Sequence, residues 1–99
     1  MAFLLAITIH IHLPENGSLK GKRRELLAVK AALTRRFGAA VAEVDHHELW
    51  QRSTLAAVLV GRSAGELERL GANLEGYLDG RFPDGVRVAR RLLSFTDLG

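Results

Sequence analysis

The chain has 99 residues, of which 47% are hydrophobic and 25% charged, and its formal net charge is +3. These values fit one ordinary globular domain and exclude a multi-domain enzyme. The lack of cysteine in the sequence excludes disulfides, thiolate nucleophiles and cysteine-bound zinc or iron–sulfur centres. Eleven of the fourteen basic residues are arginine, whose guanidinium suits bidentate contacts with phosphate and carboxylate groups. The charge is therefore compatible with RNA, phosphate or an acidic protein as a partner.

The N-terminal segment predicts a half-buried β-strand over residues 3–12. It begins apolar and then alternates between isoleucines and polar side chains, which are Ile7, Ile9 and Ile11 on one side and Thr8, His10 and His12 on the other. Its apolar opening run is far too short to cross a bilayer and lacks the basic residues of a secretory signal. We therefore expect no contact with a membrane and a cytoplasmic location.

A helix follows a break at residues 14–17. Ser18 is a good N-cap, and Gly38 is placed to end the helix. The apolar positions between them have helical spacing, and they are Leu26, Val29, Leu33 and Phe37. Residues 41–45 and 53–60 then predict a second and a third strand, and part of the connection 46–52 is expected to extend them as a ribbon.

The rest of the chain predicts one more helix and one more strand. Ser63 and Glu66 form a capping box before a helix with an apolar stripe, which consists of Leu67, Leu70, Leu74, Tyr77 and Leu78. Residues 86–95 predict the last strand. The order β-α-β-β-α-β predicts a single α+β domain over residues 1–99, a ferredoxin-like sandwich with two helices on one face of a four-stranded antiparallel sheet. The other face would be bare in a monomer, so we expect a homodimer through the open sheet face or another bound partner.

Connectivity alone brings four parts of this fold to one end of the sheet, which we call the rim. They are His12, Lys20–Arg24, Asp45–Arg52 and Arg87. The start of the first helix carries four cations where the helix macrodipole disfavours positive charge. We expect five basic residues of the rim to contact phosphates of RNA or another anion, and they are Lys20, Lys22, Arg23, Arg24 and Arg52.

The alternative interpretation of these cations is structural. Lys20 and Arg24 would then pair with Glu15, Asp45 or Glu48, or would only be solvated. The last strand also carries Arg87, Arg90 and Arg91, of which strand alternation lets only two face the same way.

Residues 45–48 form the densest cluster of titratable groups. His46 and His47 are adjacent and so make poor joint ligands, while His10 and His12 share a strand face but have no evident third ligand. We therefore predict neither a metal site nor another cofactor. Asp45 and His46 would suit a general-base pair, but no motif marks a nucleophile. No catalytic residue is predicted, and an Asp–His contact that holds the hairpin is the simpler interpretation.

Trp50 is the only tryptophan and lies in the same connection. Three interpretations are open: it covers the edge of the core, fills a dimer interface or stacks on a base. Base-binding sheets normally use paired aromatic side chains on their central strands, and the predicted strands offer none.

Two segments closely resemble the bacterial YlxP-like family, namely Ser18–Arg24 and Glu43–Arg52, and the strand ending His12-Leu13-Pro14 agrees with it. The resemblance covers almost the whole chain. It implies a dimeric, ferredoxin-like domain encoded among genes for transcription, translation initiation and ribosome maturation, with no established activity. Gly21 stands where the family commonly has a polar residue, and His47 stands where glutamine is common, which argues against a catalytic His47.

The sequence favours a non-enzymatic dimeric protein that binds RNA or a ribosomal particle through the rim. In this interpretation, four residues order the rim or the interface, and they are His12, Asp45, His46 and Trp50. One alternative is a site for a small phosphorylated ligand or for hydrolysis, with His46 as the base oriented by Asp45. The other is a purely structural protein-interaction module that uses the open sheet face.

Overall fold

The computed structural model describes residues 1–14 and 16–98 and confirms the predicted order of elements. The strands are β1 (Phe3–His12), β2 (Ala40–Asp45), β3 (Arg52–Gly61) and β4 (Val86–Ser94). The helices are α1 (Leu19–Phe37) and α2 (Ala64–Arg81), and a short 3-10 helix follows at Phe95–Leu98, where the sequence predicted the end of β4. The strands pair antiparallel in the order β2-β3-β1-β4, which confirms the ferredoxin-like α+β sandwich.

The alternation in β1 decides which face of the sheet the helices cover. Ile7, Ile9 and Ile11 are buried, whereas Thr8 and His12 are exposed on the opposite face, which we call the open face. Burial of an aliphatic side chain contributes about 1.5–3 kcal/mol, so a slip by one residue would expose the whole isoleucine row. The hydrophobic pattern of β1 therefore fixes the register of the central strand.

The predicted caps position both helices. Ser18 Oγ accepts a hydrogen bond from the Gly21 amide at 3.0 Å, and Gly38 ends α1 in the left-handed conformation with a φ of 72°. Ser63 Oγ accepts from the Glu66 amide at 3.2 Å at the start of α2. No helix in residues 1–14 and 16–98 is long and apolar enough to cross a membrane.

Two glycines permit close approaches that shape the domain. A Cβ atom at Gly71 would lie 2.5 Å from Leu5 Cδ2, so glycine lets α2 pack directly on the sheet. A Cβ atom at Gly85 would lie 2.7 Å from His12 Cβ, and the His12 amide donates to the Gly85 carbonyl at 2.8 Å. The loop before β4 is therefore held against the end of β1.

The expected ribbon between β2 and β3 does not form. Only Arg52 of the connection belongs to a strand, and residues 46–51 form a loop. His46 has a φ of 64°, a left-handed conformation that cannot continue a strand, and its carbonyl accepts from the Leu49 amide at 3.2 Å across a turn. The prediction was wrong because this turn, together with a register shift between Glu43 and Asp45, ends the ladder.

Candidate functional site

Six ends of helices and strands meet at the rim, as the topology predicted. They are the ends of β1, β2 and α2 and the starts of α1, β3 and β4. The Leu13 amide donates to the Gln51 carbonyl at 2.7 Å, and Gln51 Nε2 donates to the Pro14 carbonyl at 3.3 Å. Asn16 Nδ2 donates to the carbonyl of Trp50. These bonds join the β1–α1 connection to the β2–β3 loop, so the rim is one connected surface.

Lys22 lies beneath this surface and not on it. Its side chain is 2% exposed, and its ammonium group lies 3.0 Å from Glu43 Oε2. The same ammonium group donates to the carbonyl of His46 and, at 3.4 Å, to the carbonyl of His47. Lys22 precedes the buried Leu26 by four residues, so both share the inner face of α1. The prediction that Lys22 faces a phosphate is therefore corrected: Lys22 holds the β2–β3 loop.

Glu43 is partly buried and completes a network with the buried side chains of Lys22 and Ser53. Ser53 Oγ donates to Glu43 Oε2 at 2.7 Å, on the same oxygen that contacts Lys22. Burial raises the pKa of the Glu43 carboxyl, but the hydrogen bonds from Ser53 and Lys22 and the charges of Lys22 and His47 outweigh it, so the pKa lies below its ordinary value of 4.5. A buried ion pair is tolerated when hydrogen bonds satisfy both charges. The network joins α1, β2 and β3 at the rim.

The exposed cations at the start of α1 are Lys20, Arg23 and Arg24, which we call the helix cations. Successive residues lie about 100° apart around a helix. Because Lys22 points inward, Lys20 and Arg24 lie on the side of α1 that faces away from the sheet. Among the residues that the structure describes, none of the three takes part in a salt bridge. A contact of Lys20 or Arg24 with Glu15, which the sequence left open, lies outside the described residues.

A second group of basic residues lies on the open face. Arg52 pairs in register with His12, and Arg87 pairs with His10, so both arginines project from the same side of the sheet. We call Arg52 and Arg87 the sheet cations. Neither takes part in a salt bridge within the described part of the chain. The basic residues of the rim thus form two exposed groups on opposite sides of the domain.

The sheet cations line a cavity of about 240 Å³, which we call the sheet pocket. The polar residues that line it are His10, His12, His46, Arg52, Ser53, Thr54 and Arg87. His10 Nδ1 lies 3.3 Å from Thr54 Oγ1, and Thr54 is nearly buried. No acidic residue among those described lines the sheet pocket, whereas Glu25 and Asp84 line one neighbouring cavity and Glu48 lines another.

Asp45 and His46 contact each other at the edge of the sheet pocket. Asp45 Oδ1 accepts from the His46 amide at 2.7 Å and lies 3.9 Å from His46 Nδ1. The Asp45 side chain is 71% exposed. Asp45 thus helps to hold the left-handed turn at His46, and its carboxyl group is not within hydrogen-bond distance of the imidazole. Among the described residues, no three metal-ligating side chains lie close enough together to hold a metal ion.

Trp50 is 53% exposed, so it does not cover the core. That interpretation of Trp50 is wrong, because its side chain is more than half exposed and is not among those packed against the core. It lines a cavity of about 450 Å³ together with His12 and Arg52. A dimer interface and base stacking remain as interpretations of this side chain.

Thr54 and Gly85 belong to the rim but were not predicted as parts of it from the sequence. Both lack a motif, and the signal that could have identified Thr54 is its register opposite His10. Strand alternation correctly separated the arginines of β4. Arg87 and Arg91 share the open face, whereas Arg90 Nε lies 3.4 Å from Glu75 on the helix side.

The fold and the rim define a small ferredoxin-like domain with an exposed basic end. The chain belongs to the family described as "Protein of unknown function (DUF503)", whose pattern matches residues 4–90. Among solved structures, it is similar to the de novo designed protein Foldit4, with a TM-score of 0.64 and 11% identity over 95% of this chain and 98% of that chain. The de novo designed protein Ferredog-Diesel matches with a TM-score of 0.47 and 17% identity, over 87% of this chain and 83% of that chain.

The likeness to Foldit4 shows the fold alone, because the identity is low. No curated protein matches the chain.

Replacement of the buried ammonium should destabilise the domain strongly. We expect Lys22→Met to lower the free energy of unfolding by about 3 kcal/mol, because it leaves the partly buried Glu43 carboxylate without its charged partner and frees the carbonyls of the β2–β3 loop. Lys20→Met, two residues away on the exposed side of α1, should change it by less than about 0.5 kcal/mol. The double variant Lys22→Met/Glu43→Gln should be more stable than Lys22→Met. Urea unfolding measures the stability of the three variants. Equal midpoint urea concentrations for Lys22→Met and Lys20→Met would contradict the structural role of Lys22.

The lowered pKa of Glu43 predicts a specific loss of stability in acid. A carboxyl group with a lower pKa in the folded state binds fewer protons when folded, so its contribution is present above its ordinary value of 4.5. That contribution is lost as the pH falls through the folded-state pKa. Between about pH 5 and pH 3, the wild type should therefore lose stability more steeply than Glu43→Gln. Identical slopes of unfolding free energy against pH in the two proteins would rule out this role for Glu43.

Proposed function

We propose that the protein is a non-enzymatic binding protein of the cytoplasm that contacts RNA or a ribosomal particle through phosphates at the rim. The observation that carries this proposal is the exposure of the helix cations and the sheet cations around one end of the domain, without salt bridges among the described residues. Charges that are not neutralised within the domain are available to a polyanionic partner.

The arrangement favours contact with the phosphate backbone over the reading of bases. The open face presents no phenylalanine, tyrosine or tryptophan on the central strands β1 and β3, where base-stacking sheets carry their paired aromatic side chains. Phosphate contacts position a nucleic acid without reading its sequence. Trp50, exposed on the β2–β3 loop of the rim, offers one stacking surface for an unpaired base.

The two groups of cations also favour a partner that curves around the end of the domain. Lys20 and Arg24 face away from the sheet, whereas Arg52 and Arg87 project from the open face. A single-stranded loop or end of RNA can reach both sides, whereas a straight duplex would lie on one. The YlxP-like resemblance supports the same proposal, because it implies gene neighbours that serve translation initiation and ribosome maturation.

Charge reversal at the start of α1 tests the proposal. We expect Arg23→Glu/Arg24→Glu to weaken binding to single-stranded RNA and ribosomal subunits by about tenfold or more. The slope of log affinity against log salt should also fall by about 0.7 for each phosphate that the variant no longer neutralises. The matched control is Arg35→Glu/Arg62→Glu, which makes the same change in net charge at the opposite end of the domain.

Circular dichroism should show both variants folded. Equal weakening by the two pairs of substitutions would mean that net charge and not the rim governs binding, and the proposal would then fail.

We further propose that two copies associate through the open face, at the end remote from the rim. There Leu4 of β1 pairs in register with Val60 of β3 and Leu93 of β4, and Val58 lies next to them. Val60 is 63% exposed and Val58 is 36% exposed. Exposed apolar side chains on neighbouring strands favour self-association, and contact at this end leaves both rims accessible.

Substitution of one apolar residue should dissociate the proposed dimer. In sedimentation equilibrium, we expect the wild type to be dimeric and Val60→Lys to be monomeric, because a lysine on this surface would be desolvated in the interface. Leu27→Lys is the control, since Leu27 is 68% exposed on α1 and faces away from the sheet. A monomeric wild type, or a dimeric Val60→Lys variant, would contradict the proposal.

A further inference from the structure

We infer that the sheet pocket binds a terminal phosphate group, a phosphomonoester carried by the end of an RNA chain or by a nucleotide. The inference rests on the proposed function and deepens it, because it assigns one chemical group of the partner to one cavity. The alternative of a small phosphorylated ligand at the rim is thereby assigned to one cavity on the open face, which His46 lines together with the sheet cations.

The pocket is built from three neighbouring strands. His10 and His12 lie on β1 in the centre, Arg52 lies on β3 on one side, and Arg87 lies on β4 on the other. Adjacent strands are about 4.8 Å apart, so long arginine side chains from the two outer strands can approach one group held over β1. Guanidinium groups stay charged at all relevant pH values and bind phosphate oxygens through paired hydrogen bonds.

The charge of the pocket matches a monoester better than a diester. A phosphomonoester carries about −1.5 to −2 charges near pH 7, whereas each phosphate of a nucleic-acid backbone carries a single charge. The pocket supplies the two positive charges of Arg52 and Arg87, and no acidic residue of the described chain lines it. Two carboxylates contact residues that line it: Asp45 Oδ1 accepts from the His46 amide, and Glu43 Oε2 accepts from Ser53 Oγ.

The histidines add ring nitrogens to the site, each of which donates a hydrogen bond in the tautomer that places the proton on it. His10 is held through Nδ1 by Thr54 Oγ1 at 3.3 Å, so its ring has a fixed orientation. His12 is fixed through its backbone, which bonds to Gly85, and its side chain remains exposed. Among the described residues, no three metal-ligating side chains lie close enough together to hold a metal ion, and the guanidinium groups of Arg52 and Arg87 in the same pocket favour an anion.

Small side chains next to the pocket leave space for the rest of the ligand. The adjacent row of the open face consists of Ala89, Thr8 and Ala56, in register across β4, β1 and β3. A phosphate held by the sheet cations can therefore carry a ribose that lies on this flat floor.

The test compares a short single-stranded RNA with a 5′-phosphate against the same RNA with a 5′-hydroxyl, both labelled at the 3′ end for fluorescence anisotropy. The wild type should bind the phosphorylated RNA at least about tenfold more tightly, which corresponds to about 1.4 kcal/mol. Arg87→Ser should remove most of this preference. Arg91→Ser is the matched control, because Arg91 lies on the same strand and face but pairs with Ala6, outside the pocket.

Equal affinities of the wild type for the two RNAs, or an equal loss of preference in Arg87→Ser and Arg91→Ser, would overturn this inference and leave the proposed function standing. Adenosine 5′-monophosphate serves as a competitor to separate the sources of the phosphate. If adenosine 5′-monophosphate displaces the phosphorylated RNA and Arg87→Ser abolishes this displacement, the site is open to free nucleotides. If the wild type prefers the phosphorylated RNA but adenosine 5′-monophosphate does not displace it, the site is one for RNA ends. If the protein binds adenosine 5′-monophosphate but neither RNA at low salt, the proposed function alone is overturned. If it binds neither the nucleotide nor either RNA, the proposed function and this inference are both overturned.

Discussion

The ion pair between Lys22 and Glu43 is the interaction on which the rim depends. Desolvation and the macrodipole of α1 both oppose a buried ammonium group in the first turns of a helix, so its partners must be held in place. The carboxylate of Glu43 and two carbonyl oxygens of the β2–β3 loop contact the Lys22 ammonium group and offset these unfavourable terms. The loop is thereby fixed with His46 in a left-handed turn and with the Trp50 side chain exposed to solvent, and it leads to Arg52 at the start of β3.

This arrangement separates cations that build the rim from cations that are available to a partner. Lys22 is neutralised inside, whereas the helix cations and the sheet cations remain exposed within the described chain. A helix start with no acidic residue in its first turn is locally unfavourable, and local costs of this kind are expected where a surface serves binding. On the open face, the sheet cations lie at the rim, and the exposed apolar side chains lie toward the other end, where Arg91 flanks them in register with Ala6.

Most of the fold could be predicted because each signal was local. The isoleucine alternation of β1, the cap at Ser18 and the glycine at Gly38 act within a few residues, and the structure confirms them. Lys22 lies on the same face of α1 as the buried Leu26, so the sequence already indicated that its side chain points toward the core. Its partner Glu43, however, becomes evident only once β2 is placed beside α1. The prediction of a ribbon was wrong for the same reason. The turn at His46 depends on hydrogen bonds from Lys22 to backbone carbonyls of the loop, and no pattern within residues 46–52 reveals them.

The central claim is that the rim, and not the apolar end of the open face, meets the nucleic acid. Titration of the isotope-labelled protein with single-stranded RNA, followed by the backbone amide resonances in NMR spectra, tests it most directly. The account predicts that the largest shifts occur at Lys20, His12, Arg52 and Arg87, and that they diminish as salt is added. Shifts confined to Leu4, Val58 and Val60, or no shifts at low salt, would contradict it.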